Sequence, residues 1–219
     1  MEVGQRTVAP CPCQDVKRER RRLRESGLER LVDSMTFEAY RADEPWQKRA
    51  LDAVRRWLDR GASGWLFLGG AVGSGKTHLC TAACGELLRA GRAVRYMLWP
   101  EEVRELKACV NDAAAFDRLI RPLERVDVLY IDDLFKVQRA CGGAAGVSPA
   151  EIRVAFELID ARYRMDRPTI ISCEWMMDEL LQMDEGVFSR VYEKARGAIA
   201  QIGRVDGRNM RLRGAEEGG

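Results

Sequence analysis

No stretch of this sequence approaches the roughly 18 uncharged apolar residues that a membrane-spanning helix needs. The opening residues, Met1-Glu2-Val3-Gly4-Gln5-Arg6, also lack the apolar run of a secretory signal. These absences predict a cytosolic (cytoplasmic) chain. Histidine is represented by His78 alone, and the 7 cysteines are odd in number and scattered. In a cytosolic protein such a set reads as reduced thiols and excludes a disulfide framework. Cys80 and Cys84, four apart on a predicted helix, read as core packing. Cys11 and Cys13 would supply half of a tetrahedral zinc site, but no second close cysteine pair lies nearby to complete it.

Charge of one sign is not in excess: 36 basic residues face 34 acidic ones, for a net charge of +2. The distribution is less even, because Lys17-Arg18-Glu19-Arg20-Arg21-Arg22-Leu23-Arg24 gathers basic residues ahead of the main domain. Two readings stand, contact with nucleic-acid phosphates or a solvated helix face. No internal repeat is visible. The chain's 219 residues, 46% of them apolar, fit one soluble domain of ordinary size with a short extension.

What is present is more specific. Gly70-Ala71-Val72-Gly73-Ser74-Gly75-Lys76-Thr77 fully matches the phosphate-binding pattern G-x-x-x-x-G-K-[ST]. It follows the apolar run Trp65-Leu66-Phe67-Leu68 and precedes a predicted helix from Thr77 to Ala90. That strand–loop–helix setting is the one the chemistry needs. Glycines let backbone N–H groups curl around phosphate oxygens, and the helix offers its positive end to them. Gly70, Gly73, Ser74, Gly75, Lys76, Thr77 and His78 are therefore the expected nucleotide-binding set. Lys76 is expected to reach the β- and γ-phosphates of ATP, and the Thr77 hydroxyl to ligate Mg²⁺.

Apolar periodicity predicts a helix from Trp46 to Arg60, entered through Pro45. Predicted strands cover Gly64 to Leu68, Ala93 to Leu98, Val126 to Ile131, Pro168 to Ser172 and Ala198 to Ile202. Predicted helices lie between them, and Ser148-Pro149-Ala150-Glu151 is a reciprocal cap that starts one of these. Lys136 to Val147, rich in Gly and Ala, reads as a loop. This alternation predicts an α/β fold, a three-layer P-loop NTPase with a five-stranded parallel sheet.

Asp132 and Asp133 end the third predicted strand. Beside a phosphate loop, one such carboxylate orients Mg²⁺ and the next polarises the attacking water. The paired acids favour hydrolysis over transfer to a second substrate. A strand intervening in sequence between the two motifs points to oligomeric ATPases.

Five further segments complete a collinear set. They are Met97-Leu98-Trp99-Pro100-Glu101-Glu102-Val103, Leu129-Tyr130-Ile131-Asp132-Asp133-Leu134-Phe135-Lys136, Thr169-Ile170-Ile171-Ser172-Cys173-Glu174, Ser189-Arg190-Val191-Tyr192-Glu193-Lys194 and Asn209-Met210-Arg211-Leu212. Together they resemble the DnaC-type replicative helicase loaders of bacteria and phages, relatives of the insertion-sequence transposition helper ATPases. The resemblance runs from Ser26 to Arg213. It implies an AAA+ ATPase core over residues 36–213, a basic N-terminal arm over 1–35 and a disordered tail over 214–219. Cys11 and Cys13 would be the remnant of a degenerate zinc module in the arm. It also implies an acidic-motif strand lying beside the phosphate-loop strand, and a helical lid largely absent, since the stretch after Ile202 is short.

Residue by residue, the resemblance makes Arg190 an arginine finger that acts on ATP bound to a neighbouring subunit. Self-association follows from that role. Arg211 would be a second sensor acting in cis. Glu174 stands where many relatives carry Asn, and a carboxylate there would repel a phosphate. Phe37 and Tyr40 are candidates for the adenine site, with core packing as the alternative. The implied function is ATP-switched loading of a replicative ring helicase onto single-stranded DNA, in DNA replication of a phage or prophage. DNA contacts are expected from Lys136, Arg139 and the basic arm. The alternatives are a transposition helper ATPase acting on target DNA with a transposase, a small-molecule phosphotransferase, and a non-hydrolysing adaptor.

Overall fold

The computed structural model describes residues 21–136, 146–205 and 208–210. The Cys11–Cys13 pair, the first half of the basic run, Arg139, Arg211 and the tail over 214–219 lie outside the described residues. The elements in chain order are α1 (Pro45–Asp59), β1 (Trp65–Gly70), α2 (Lys76–Arg89), β2 (Val94–Leu98), α3 (Trp99–Ala108) and α4 (Ala113–Arg125). They continue with β3 (Val128–Leu134), α5 (Pro149–Arg164), β4 (Thr169–Cys173), α6 (Met177–Met183), α7 (Glu185–Lys194) and β5 (Ile199–Ile202). No helix among the described residues is long and apolar enough to cross a membrane.

The strands form one parallel sheet in the order β2-β3-β4-β1-β5. Side chains alternate across it with a period of two, and each strand feeds two separate cores. Leu66, Leu68, Val128, Tyr130 and Ile170 pack on one face with α1 and α2. Trp65, Phe67, Leu129, Ile131 and Ile171 pack on the other with α3 to α7. Strands buried on both faces read as continuous apolar runs, which is why β1, β3 and β4 show no polar alternation. The result is the expected three-layer α/β sandwich with a five-stranded parallel sheet.

The strand order corrects one expectation. The acidic-motif strand does not lie beside the phosphate-loop strand; β4 stands between them. Thr169 of β4 is in register with Trp65 of β1 on one side and Leu129 of β3 on the other. All five residues of β4 are buried, so it fills an interior position that needs a partner on each edge. This insertion places Ser172, at the end of β4, against the acids of β3.

Several ends also shift. β1 runs two residues past Leu68, to Gly70, because Gly69 and Gly70 pair with Gln201 and Ile202 of β5. β3 runs through both acids to Leu134, which pairs with Cys173 after a bulge that follows Ile131. At this bulge Asp133 and Phe135 take left-handed backbone angles, φ 56° and 55°. The cap of α5 forms as expected: the Ser148 hydroxyl accepts from Glu151 N, and the Glu151 carboxylate accepts from Ser148 N.

Arg162 of α5 is wholly buried and knots three elements together. Its guanidinium donates to the Thr169 hydroxyl at 2.8 Å and to the carbonyls of Leu123, Glu124, Val126, Asp127 and Pro168. It thereby satisfies the orphan acceptors at the end of α4 and the starts of β3 and β4. Burial, with Arg167 nearby, pulls its pKa down to about 9.

Candidate nucleotide site at the ends of the parallel strands

The loop between β1 and α2 wraps back on itself. Gly70, Gly73 and Gly75 have φ of 106°, 68° and 84°, angles that glycine adopts without strain. Tyr40 leaves no room for a larger residue at Gly75, because a Cβ there would lie 2.8 Å from the ring. The Ser74 hydroxyl donates to Ala71 O at 2.7 Å and closes the loop. Gly75 caps α2, whose first residue is Lys76, so the positive end of that helix faces the loop.

Lys76 is 7% exposed, and its ammonium donates to the carbonyls of Gly70 (2.9 Å) and Ala71 (2.7 Å). Burial lowers its pKa, and the nearby Glu174 and Asp133 carboxylates act in the opposite sense. A buried cation inside a glycine loop fits a polyphosphate, whose oxygens accept more strongly than amide carbonyls.

Around this loop lies a cleft of about 280 Å³, lined by Gly73 to His78, Asp133, Lys136 and Glu174, with Met35, Val72 and Met210 supplying apolar surface. His78 lines it too, but its Nε2 stands 2.7 Å from Thr36 O and its ring lies edge-on to Tyr40. It therefore pins the segment ahead of α1 to the loop. Tyr40 and Phe37 are both buried in the core and do not line the cleft. Of the two readings given them, core packing holds. Met35 and Met210 take the apolar role instead; Met210 N donates to Gly73 O at 2.9 Å, folding the chain after β5 back over the loop.

Asp132 is 3% exposed and receives four hydroxyls. Thr77 (3.1 Å), Tyr130 (2.7 Å) and Ser172 donate to Oδ1, and Tyr96 donates to Oδ2 at 3.0 Å. Burial pushes the Tyr96 and Tyr130 phenols up, helped by Asp132 at Tyr96 and by Cys80 and then Asp132 at Tyr130, which keeps both as donors. The Thr77–Asp132 contact fits a divalent cation. The hydroxyl donates its proton to the carboxylate and keeps a lone pair for the metal. Asp133 turns the other way, into the cleft, with its backbone N donating to Ser172 Oγ at 3.3 Å. Its Oδ2 accepts from Lys136 Nζ at 2.6 Å, and Lys136 lies 3.8 Å from Glu174.

Lys76, Thr77 and Asp133 thus line one cleft, with Asp132 buried behind Thr77, and Arg190 does not line it. Arg190 is on α7, its Nε 3.2 Å from Asp160 Oδ1, its guanidinium over the rings of Phe156 and Tyr163 and its Nη1 donating to Gly186 O. Tyr96 and Tyr130 stand outside the set of site residues expected from the sequence, whereas Ser172 lies at the end of β4, where the resemblance implies a γ-phosphate sensor. Tyr130 was within reach of sequence reasoning, since it stands two residues before Asp132 on the same strand face. Tyr96 was not, because only the β2–β3 register brings it opposite Tyr130.

Comparison with known proteins agrees with this geometry. The phage-like element PBSX protein XkdC of Bacillus subtilis (strain 168) is 34% identical over 125 residues, 57% of this chain and 45% of that protein. The replicative helicase loader DnaC of Escherichia coli (strain K12) is 27% identical over 161 residues, 72% of this chain and 62% of that protein. The chain spans about half the length of the curated relatives it matches. The crystal structure of the DnaC helicase loader superposes with a TM-score of 0.64 at 21% identity, covering 79% of this chain and 99% of that one. That likeness shows the fold, an α/β sandwich around a parallel sheet. Residues 13–188 match the family described as IstB-like ATP binding protein. A match across most of the chain, with the phosphate loop and paired acids in place, makes this chain a member of the IstB-like ATP binding protein family.

Proposed function

We propose that this chain is a cytoplasmic ATPase of the loader type, which binds a replicative ring helicase and helps place it on single-stranded DNA. The observation that carries the reading is the likeness to the replicative helicase loader DnaC, which extends over 72% of the chain and includes a complete phosphate-loop site.

Within this reading, Gly70 to Thr77 hold the triphosphate of ATP through backbone N–H groups, and the Lys76 ammonium leaves its two loop carbonyls for phosphate oxygens. Mg²⁺ held by Thr77 and Asp132 would neutralise charge on the β- and γ-phosphates. Asp133 accepts the proton of the attacking water, for which its place on the cleft wall is suited. Glu174 shares Lys136 with Asp133, so its charge faces a cation as well as the cleft. Arg190 serves the ATP site of an adjoining copy. Its cation is already oriented by Asp160 and two aromatic rings and stands outside its own cleft, as a residue acting in trans requires. Lys136, Arg139 and the basic arm contact DNA phosphates. Residues 1–35 form that arm, 36–213 the ATPase core and 214–219 a tail.

The test is co-purification with the ring helicase of the same replicon in ATP, in ADP, and with Lys76→Ala. ATP-dependent capture that the substitution abolishes is expected. Absence of capture in every state, with ATP hydrolysis still stimulated by DNA, would replace this reading by a transposition helper. That second reading draws on the IstB family match itself.

A further inference from the structure

The carboxylate of Asp132 is held unevenly. Three hydroxyls converge on Oδ1, whereas among the described residues Tyr96 alone donates to Oδ2. Thr77, Tyr130 and Ser172 stand on α2 and the interior strands β3 and β4, all locked in the sheet's centre. Tyr96 belongs to β2, an edge strand. Its ring leans on Tyr130 at 5.3 Å between centroids with a 56° tilt. The orientation of Asp132 about its own Cβ–Cγ bond is thus set by three interior donors on one oxygen and by one edge-mounted donor on the other.

That edge is seated by the segment ahead of the ATPase core. Ser26 and Leu28 are fully buried, and the Ser26 hydroxyl fixes a turn by donating to Leu23 O (2.6 Å) and accepting from Leu28 N (3.1 Å). Gly27 sits at the tip of this turn with φ 79°. A Cβ on Gly27 would lie 3.4 Å from Arg95 Nη1, 3.7 Å from Tyr96 Cβ and 3.8 Å from Tyr96 O, so the turn rests directly on β2. Leu23, Leu31 and Val32 pack against the same core cluster as Tyr96. The contacts run without a gap from the 23–32 segment, through Tyr96, to the carboxylate expected to orient the metal.

We propose that Tyr96 is a positioning residue for Asp132, and that the Gly27 turn sets where its hydroxyl stands, so that the seating of the 23–32 segment tunes how tightly the site holds nucleotide with Mg²⁺. The inference rests on the reading of Asp132 as the metal-orienting acid. Removing the Tyr96 hydroxyl takes its donor from Oδ2 and loosens the carboxylate about the three donors that still hold Oδ1. A bound cation then loses alignment while the phosphate loop, with Lys76 and its N–H groups, is untouched.

The experiment is a Mg²⁺ titration of fluorescent ATP-analogue binding to the full chain, for the parent, Tyr96→Phe, Gly27→Ala, their double variant and Asp132→Asn. Tyr96→Phe keeps the ring contact with Tyr130 and removes one oxygen. It is expected to raise the Mg²⁺ midpoint by roughly tenfold, the effect typical of losing a partner that orients a metal ligand. Binding in EDTA should stay at the parent value, and the thermal midpoint without nucleotide should fall by only a few degrees, the cost of one lost hydrogen bond to a buried carboxylate. Gly27→Ala should raise the Mg²⁺ midpoint in the parent but add little in Tyr96→Phe, because both act through one hydroxyl. A midpoint unchanged in Tyr96→Phe but raised in Asp132→Asn overturns the proposal and leaves the role of Asp132 standing. Additive effects of Gly27→Ala and Tyr96→Phe overturn the link to the segment. A midpoint unchanged in Asp132→Asn overturns the reading of the metal acid, and the proposal with it.

Discussion

Lys136 holds its ammonium 2.6 Å from Oδ2 of Asp133, three residues earlier in the chain. Both belong to the turn that ends β3, and Lys136 N also donates to Asp133 O at 3.0 Å. The acid assigned to water activation is therefore paired with a cation on the cleft wall. Lys136→Gln is expected to raise the basal rate of ATP hydrolysis about two- to fivefold. That is the equivalent of a partly exposed ion pair worth about 0.5–1 kcal/mol. DNA stimulation should shrink in the same variant, since the proposed DNA contact and the restraint on Asp133 are one side chain. Steady-state phosphate release with and without single-stranded DNA checks both; an unchanged basal rate with full stimulation would remove Lys136 from the mechanism.

Asp133→Asn keeps the shape of the acid and loses its basicity. Nucleotide binding should persist at near-parent affinity, because Lys76, Thr77 and the glycine loop are intact. Turnover should fall by about 10²- to 10⁴-fold, the usual worth of a positioned general base. Single-turnover hydrolysis of radiolabelled ATP, beside an equilibrium binding curve, separates the two. A variant that hydrolyses at the parent rate would assign water activation elsewhere.

Arg162 serves five carbonyls and one hydroxyl from a wholly buried position. Arg162→Met fills similar space and takes the donor from the Leu123, Glu124, Val126 and Asp127 carbonyls, while Pro168 O keeps its bond from Leu129 N. The expected loss is about 3 kcal/mol or more of folding stability. Urea unfolding should show a lower midpoint with an unchanged slope. A midpoint equal to the parent's would mean that solvent or a neighbour takes over the acceptors.

Burial pushes the Cys80, Cys84 and Cys173 thiols up, the last to about 12. A raised thiol pKa keeps the group protonated and unreactive until pH climbs towards that value, so native alkylation at pH 8 should spare all three. Cys109, half-buried at the surface, should label first among the described cysteines. Mass spectrometry after a timed iodoacetamide exposure reads this directly. Rapid native labelling of Cys80 or Cys84 would show that α2 opens away from the sheet.

Local signals in the sequence reached far. The glycine-loop pattern placed Lys76 and Thr77, the buried run Val128–Ile131 announced a central strand, and Ser148–Glu151 marked the start of α5. Each rests on residues a few positions apart. Sheet order and register rest on contacts between distant segments, and there the reading went astray. Nothing in Thr169–Cys173 says that β4 slots between β1 and β3. Without that insertion Ser172 has no reason to meet Asp132. Tyr96 escaped notice for the same reason: a tyrosine on an edge strand carries no mark until its register partner is known. Phe37 and Tyr40 show the reverse, two aromatics whose place in the chain ahead of α1 made them candidates for a ligand although their burial serves the core.

The left-handed backbone at Asp133 has a consequence for how this position is maintained. Aspartate tolerates such angles better than most residues with a side chain, but still at a cost of about 1 kcal/mol relative to glycine. Asp133→Gly would therefore yield a protein that melts later and turns over no ATP. Drift under selection for folding alone would take the position to glycine, and a screen for heat-resistant variants would find the same inert solution. Only a requirement for turnover would hold a carboxylate where glycine fits with less strain.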